Sequence, residues 1–324
     1  MKRCCLIGFL VLFSVNSWFS CEGFAEKIDL LWTGLRLDES VFLQFAGKDA
    51  KTVLDLLRNE YGLHVVFLRE APSLGAVNES GDGELRLQLE KIFLEIPKVG
   101  AMMFPPHRHV LCYKSETLPW SSEESLIVIR KPELRLLRMI LIHEFLHYFL
   151  YTKREEKCRV LDGELHEIFC GNNYELAQLE KRLNDQLRLA GGKSVSEKDI
   201  AEWNGLARLF FDFLEKTYRV NEEILGEEID IHRLTYEYRR ELGLSREEIQ
   251  FIMHRIRSYM EKLDVLLQNE SFSNIASFLK LESFADQYAE DVREQFLKVA
   301  EQKGALGKKY EETLSWMSES MKTP

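Results

Sequence analysis

Residues 143–147 read His-Glu-Phe-Leu-His. Two imidazoles stand four residues apart, with a carboxylate directly after the first. On a helix, positions i and i+4 stack on one face, so both rings can aim a nitrogen at one ion. Zinc accepts neutral histidine nitrogen and prefers four ligands. A carboxylate beside that face can take a proton from a water on the ion and later pass it to a leaving amine. The ion makes this possible by lowering the pKa of such a water from about 15.7 to about 7. The spacing therefore assigns His143 and His147 as metal ligands and Glu144 as the general base that serves the water. The competing reading is a buried helix with two hydrogen-bonded core histidines.

With 8 histidines in 324 residues, this five-residue pattern arises by accident on the order of once in fifty such chains. Its surroundings sharpen it. Both intervening residues are uncharged, and from Met139 to Tyr151 nearly every residue is apolar except His143, Glu144 and His147. A helix that is hydrophobic all round is buried. Polar groups inside it need partners, or they cost several kcal/mol. Pro132 suits the first position of such a helix.

The stretch "MILIHEFLHYFL" resembles the active-site helix of the zincin metallopeptidases, and the preceding pattern is similar to their upper subdomain. That resemblance implies a twisted sheet whose edge strand binds extended substrate by strand addition, a part open to "SLIVIRK" (125–131) or "RHVLCYK" (108–114). It also implies a third metal ligand. The metzincin extension is missing, because its later positions are Leu150 and Lys153. The gluzincin branch takes a glutamate from a later helix. Candidates are Glu155, Glu156, Glu164, Glu167 and Glu175. The first two lie too close, in a charged turn. Glu167 follows His147 by twenty residues, the separation of thermolysin-like gluzincins, and Cys170 follows it as a small residue three positions on. Glu167 is the favoured ligand. Glu164, one helical turn earlier, and Asp162, in the aspzincin manner, stay open. Zincins also use a Tyr or His to hold the developing oxyanion; His166, Tyr174, His232, Tyr236 and Tyr238 qualify by type.

The elements that must position these groups fall into two halves. Residues 26–195 read as a mixed α+β half, zincin-like, with a small antiparallel or mixed sheet and the HExxH helix. Within it, 47–61 is a helix ending at Gly62, 63–70 a strand, 71–83 a loop rich in breakers, and 84–96 apolar at helical spacing. The strands at 108–114 and 125–131 are separated by a polar turn containing Pro119. Residues 196–324 read as an all-helical half. Its helices are expected over 196–220, 245–268 and 273–302, the second opening on a Ser245/Glu248 capping box.

Residues 1–25 have the outline of a secretory signal peptide: a basic start, an apolar run over 4–15, and small residues before a cut at Glu26. The run is short of a membrane span, so no stable span is expected after cleavage. A lipoprotein cut before Cys21 fits poorly, since Trp18 and Phe19 stand where small residues are wanted. The expected location is secreted or periplasmic. Cys112, Cys158 and Cys170 remain; three cysteines make no disulfide framework, although Cys158 and Cys170 could pair across a short loop.

The chain is 45% hydrophobic and 30% charged, with a formal net charge of −10. Removing Lys2, Arg3 and Glu22 leaves about −11. That balance fits a globular protein and argues against a nucleic-acid partner. The expectation is a secreted or envelope zinc-dependent metallopeptidase acting on a peptide or protein. The alternative is a non-catalytic binding protein whose helical half recognises a partner.

Overall fold

A computed structural model describes residues 27–68, 101–104, 109–113, 116–120, 125–130, 135–154, 196–268 and 290–322, with isolated positions at 87, 89, 90, 181, 182 and 185. The fold is α+β and rich in helix. Strands β1 (Lys27–Asp29) and β2 (Arg36–Asp38) form an antiparallel hairpin. A short helix α1 (Ser40–Leu43) and helix α2 (Ala50–Asn59) lead to strand β3 (His64–Phe67). Asp49 caps α2, accepting the Thr52 N–H at 2.8 Å. The helix stops where Gly62 turns to φ 63°, a conformation that suits glycine.

Strands β4 (Ala101–Phe104), β5 (His109–Tyr113), β6 (Glu116–Trp120) and β7 (Leu126–Ile129) follow. The sheet order is β3-β7-β4, with β3 parallel and β4 antiparallel to β7. All four residues of β7 are buried, as a continuous apolar run in a central strand requires. This central place removes "SLIVIRK" from the part of an edge strand. The other candidate, β5, pairs with β6 in a separate two-stranded ladder. The polar turn expected around Pro119 is instead strand β6, with Pro119 opposite Val110; a two-stranded ladder leaves room for a residue without an N–H. The edge beside the HExxH helix is β4.

Helix α3 (Leu137–Lys153) carries His143, Glu144 and His147. Leu137, Leu141, Ile142, Phe145, Leu146 and Leu150 are each at most 1% exposed. At roughly 1.5–3 kcal/mol for each fully buried side chain, they anchor α3 against α2 and the sheet. Phe145 meets Phe45 edge-on at 5.1 Å and Tyr61 at 4.6 Å.

Three long helices complete the fold: α4 (Glu197–Glu237), α5 (Arg246–Leu267) and α6 (Glu290–Ser320). The expected helix over 196–220 runs on to Glu237. The capping box of α5 is present, with Ser245 and Glu248 satisfying each other's backbone N–H. Only residues 290–302 of the expected 273–302 helix are described, and they lie in α6. These helices share an apolar core with Trp32 and Met139. The far end of α4 belongs to the other core: Ile231 and Leu234 pack with α2, α3 and the sheet. Arg138 ties α3 to the α4–α5 connection, donating to the carbonyls of Leu242 (3.1 Å) and Gly243 (3.0 Å) and pairing with Glu248 (3.1 Å). Among the described residues, no helix is long and apolar enough to cross a membrane.

Candidate metal centre

The two histidines of α3 face the middle of α4. There the sequence places Glu222, Glu223, Glu227, Glu228 and Asp230 among apolar residues. Most of these carboxylates have a dedicated counter-group. Glu222 takes Lys309 at 2.5 Å. Arg154, at the end of α3, pairs with Glu223 at 2.8 Å and with Glu227. Asp230 accepts backbone N–H groups from the β1–β2 turn. Glu228 has no lysine or arginine partner among the described residues. It faces the two imidazoles instead.

The ring of His147 is fixed at both nitrogens. Its Nδ1 lies 2.6 Å from Glu227 Oε1. A carboxylate only accepts, so Nδ1 carries the hydrogen and a neutral ring presents a lone pair at Nε2. That nitrogen lies 3.0 Å from His143 Nε2 and 3.5 Å from one Glu228 oxygen, while His143 Nε2 lies 3.4 Å from the other. Zinc with bonds of about 2.0–2.1 Å in a tetrahedral arrangement separates its ligand atoms by about 3.3–3.4 Å. The three donors are spaced and typed for such an ion. They also form the His/Cys/Asp/Glu cluster with metal-binding spacing found among the described residues.

Electrostatics follow from this crowding. Burial raises the Glu228 carboxyl, but the His143 and His147 rings outweigh it and hold the group well below the usual range. Burial lowers His147, while the Glu228 charge and hydrogen bond and the Glu144 charge together more than offset that and leave it raised. Glu144 is 6% exposed, and burial pushes its carboxyl up against the opposing pull of the two histidines. The Met103 backbone N–H of β4 adds a smaller pull in the same direction as the histidines. The edge of the sheet thus reaches the proposed base directly.

Two more side chains frame Glu228. The Tyr259 hydroxyl, on α5, donates to Glu228 Oε2 at 2.9 Å and accepts from Arg255. His232, one helical turn beyond Glu228, has Nδ1 2.8 Å from the Glu228 carbonyl and its ring 4.5 Å from His143. Burial, and then the neighbouring His143, push its pKa down to about 3. A neutral His232 that donates through Nδ1 offers only a lone pair at Nε2, so it cannot donate to an oxyanion. Tyr236 bonds the Ser320 carbonyl and Tyr238 stacks on Phe42.

The structure thus joins His143, Glu144 and His147 as their spacing requires. The sequence reading did not identify Glu228, 81 residues beyond His147. The one local signal for it is a run of acids within an apolar helical pattern. Glu167, Glu164, Asp162, Glu155, Glu156, Glu175, His166 and Tyr174 lie outside the described residues, as do residues 1–25 and Cys158 and Cys170. No protein-family model matches the chain, and comparison with curated proteins and with solved structures finds no match.

Proposed function

We propose that this chain is a zinc-dependent metallopeptidase of the zincin type, with His143, His147 and Glu228 as ligands and Glu144 as general base. The observation that carries this reading is the convergence of His143, His147 and Glu228 beside a buried carboxylate at a sheet edge. Zinc, when bound, would supply Lewis-acid polarisation and an acidified water. The chain's own residues do the rest. Glu144 takes the proton from the attacking water and returns it to the leaving amine. Burial that raises its carboxyl suits both halves of that task. Glu227 keeps His147 in the tautomer that leaves Nε2 free. Among the described residues β4 pairs only with β7, which suits the addition of an extended peptide as a further strand. A basic start and apolar run within residues 1–25 favour a place of action in the envelope or outside the cell.

The test is metal content and hydrolysis of a labelled protein substrate by the purified chain. Wild type should hold one zinc. Glu144→Gln should keep the zinc and lose about 10²–10⁴-fold in rate. Glu228→Ala should lose the zinc, and Glu167→Ala and Glu164→Ala should retain it. Zinc lost from Glu167→Ala but kept by Glu228→Ala would move the third ligand to Glu167. A folded wild type that takes up no supplied zinc, or a Glu144→Gln variant that still hydrolyses, would overturn the enzyme reading in favour of a binding protein.

A further inference from the structure

Helix α4 is held from behind as well as in front. The turn Leu30–Gly34 joins β1 to β2, closed by Leu30 N–H to Leu35 O at 2.8 Å and Gly34 N–H to Leu30 O at 3.1 Å. Its tip is docked on α4. The N–H groups of Trp32 (3.0 Å) and Thr33 (2.8 Å) and the Thr33 hydroxyl (3.1 Å) all donate to Asp230 Oδ2. Asp230 is 1% exposed and Trp32 2%. The Trp32 side chain lies against Gly226, where an added Cβ would come within 2.7 Å of the Trp32 Cβ. The Trp32 indole N–H donates to Thr313 at 3.0 Å, and Lys309 bridges the Trp32 carbonyl (3.0 Å) and Glu222.

Glu222, Gly226 and Asp230 are spaced i, i+4, i+8 and make one stripe. A helix turns about 100° per residue, so Glu228 lies about 200° round from Gly226, on the opposite face. The turn therefore braces the back of α4 at the level where its front presents Glu228 to His143 and His147. A mid-helix glycine costs about 1 kcal/mol relative to alanine; here it is the one residue that lets Trp32 seat.

We propose that the Leu30–Gly34 turn is a positioning strap for the metal centre: seated on Gly226 and Asp230, it sets the rotation and approach of α4, and so the aim of Glu228. This rests on the metal reading above. A strap and an ion that both favour the same placement of α4 must stabilise one another reciprocally. Zinc binding then tightens the seating of the turn, although the ion and the turn lie on opposite faces of the helix.

The experiment measures two quantities on the full chain. The first is zinc affinity by chelator competition for wild type, Asp230→Asn and Thr33→Val. The second is hydrogen exchange at the Trp32 and Thr33 amides, with and without zinc, in wild type and His147→Ala. The strap predicts a zinc affinity about tenfold weaker in folded Asp230→Asn and a smaller loss in Thr33→Val. It also predicts amide exchange slowed by zinc in wild type and indifferent to zinc in His147→Ala. A merely structural turn would lower stability and leave both readings unmoved. Wild type that binds zinc with exchange unaffected, and variants within twofold of its affinity, would overturn the strap alone. If Asp230→Asn does not fold, Thr33→Val and the wild-type exchange decide. A wild type that binds no zinc overturns the metal reading and the strap together.

Discussion

His147 donates its Nδ1 hydrogen to Glu227 at 2.6 Å, and the next residue of the same helix, Glu228, faces the other nitrogen of the same ring at 3.5 Å. Two consecutive carboxylates on α4 thus act on two sides of one imidazole. One orients it, and one shares its proposed ion.

Glu227 therefore has an effect on the metal without touching it. Carboxylates that hold a ligating histidine fix its tautomer, and their loss costs about 10–100-fold in metal affinity. Glu227→Ala should weaken zinc binding by that factor in chelator competition. An unchanged affinity would show that His147 is oriented by packing alone.

Tyr259 makes the matching contact on the other partner. Its hydroxyl donates to Glu228 at 2.9 Å, and burial, followed by the Glu228 charge, raises its pKa and keeps that hydrogen in place. A hydrogen bond to a charged group is worth about 1.5–3 kcal/mol. Tyr259→Phe keeps the ring and removes the bond, so zinc affinity should fall about 10–100-fold. The bond also stands without the ion, so metal-free stability in urea should fall too, by about 1–3 kcal/mol. A loss of stability with no loss of affinity would make the hydroxyl a packing feature.

Arg154 holds two carboxylates, Glu223 and Glu227, with its own side chain 5% exposed. Removing one partner of a buried ionic group typically costs about 3–5 kcal/mol, because the charges it neutralised stay behind. Arg154→Met should destabilise the protein by that order in urea titration. Adding Glu227→Gln to the same chain should recover part of the loss, since it removes a stranded charge.

What was legible in the sequence was local. His143, Glu144 and His147 could be placed because i and i+4 share a helical face, and the apolar residues around them announced a buried helix. Ser245 and Glu248 disclosed the start of α5 in the same way. Glu228 is brought to the histidines by α4 crossing α3, a tertiary arrangement that no spacing encodes. The helix expected over 196–220 runs on past Gly226 to Glu237, where Trp32 fills the space a Cβ would take and the acids find partners. Strand β4, "AMMF", has four residues and two prolines directly after it. Its strand state comes from pairing with β7, which is a long-range fact.

Met103 gives that strand a chemical part. Its N–H is the backbone donor that draws the Glu144 carboxyl down, against the burial that raises it, and a proline there removes that donor. Met102, paired with Val128, already has the extended conformation that a residue before proline requires. Met103→Pro removes that donor together with the Met103 side chain, which packs against the core. If Glu144 works as proposed, zinc content should stay at one per chain while kcat/KM on a peptide substrate falls about 10–100-fold, the worth of one hydrogen bond to a charged group. Unchanged kinetics would mean that Glu144 is oriented by burial alone. A loss of zinc would mean that β4 supports the helix rather than the base.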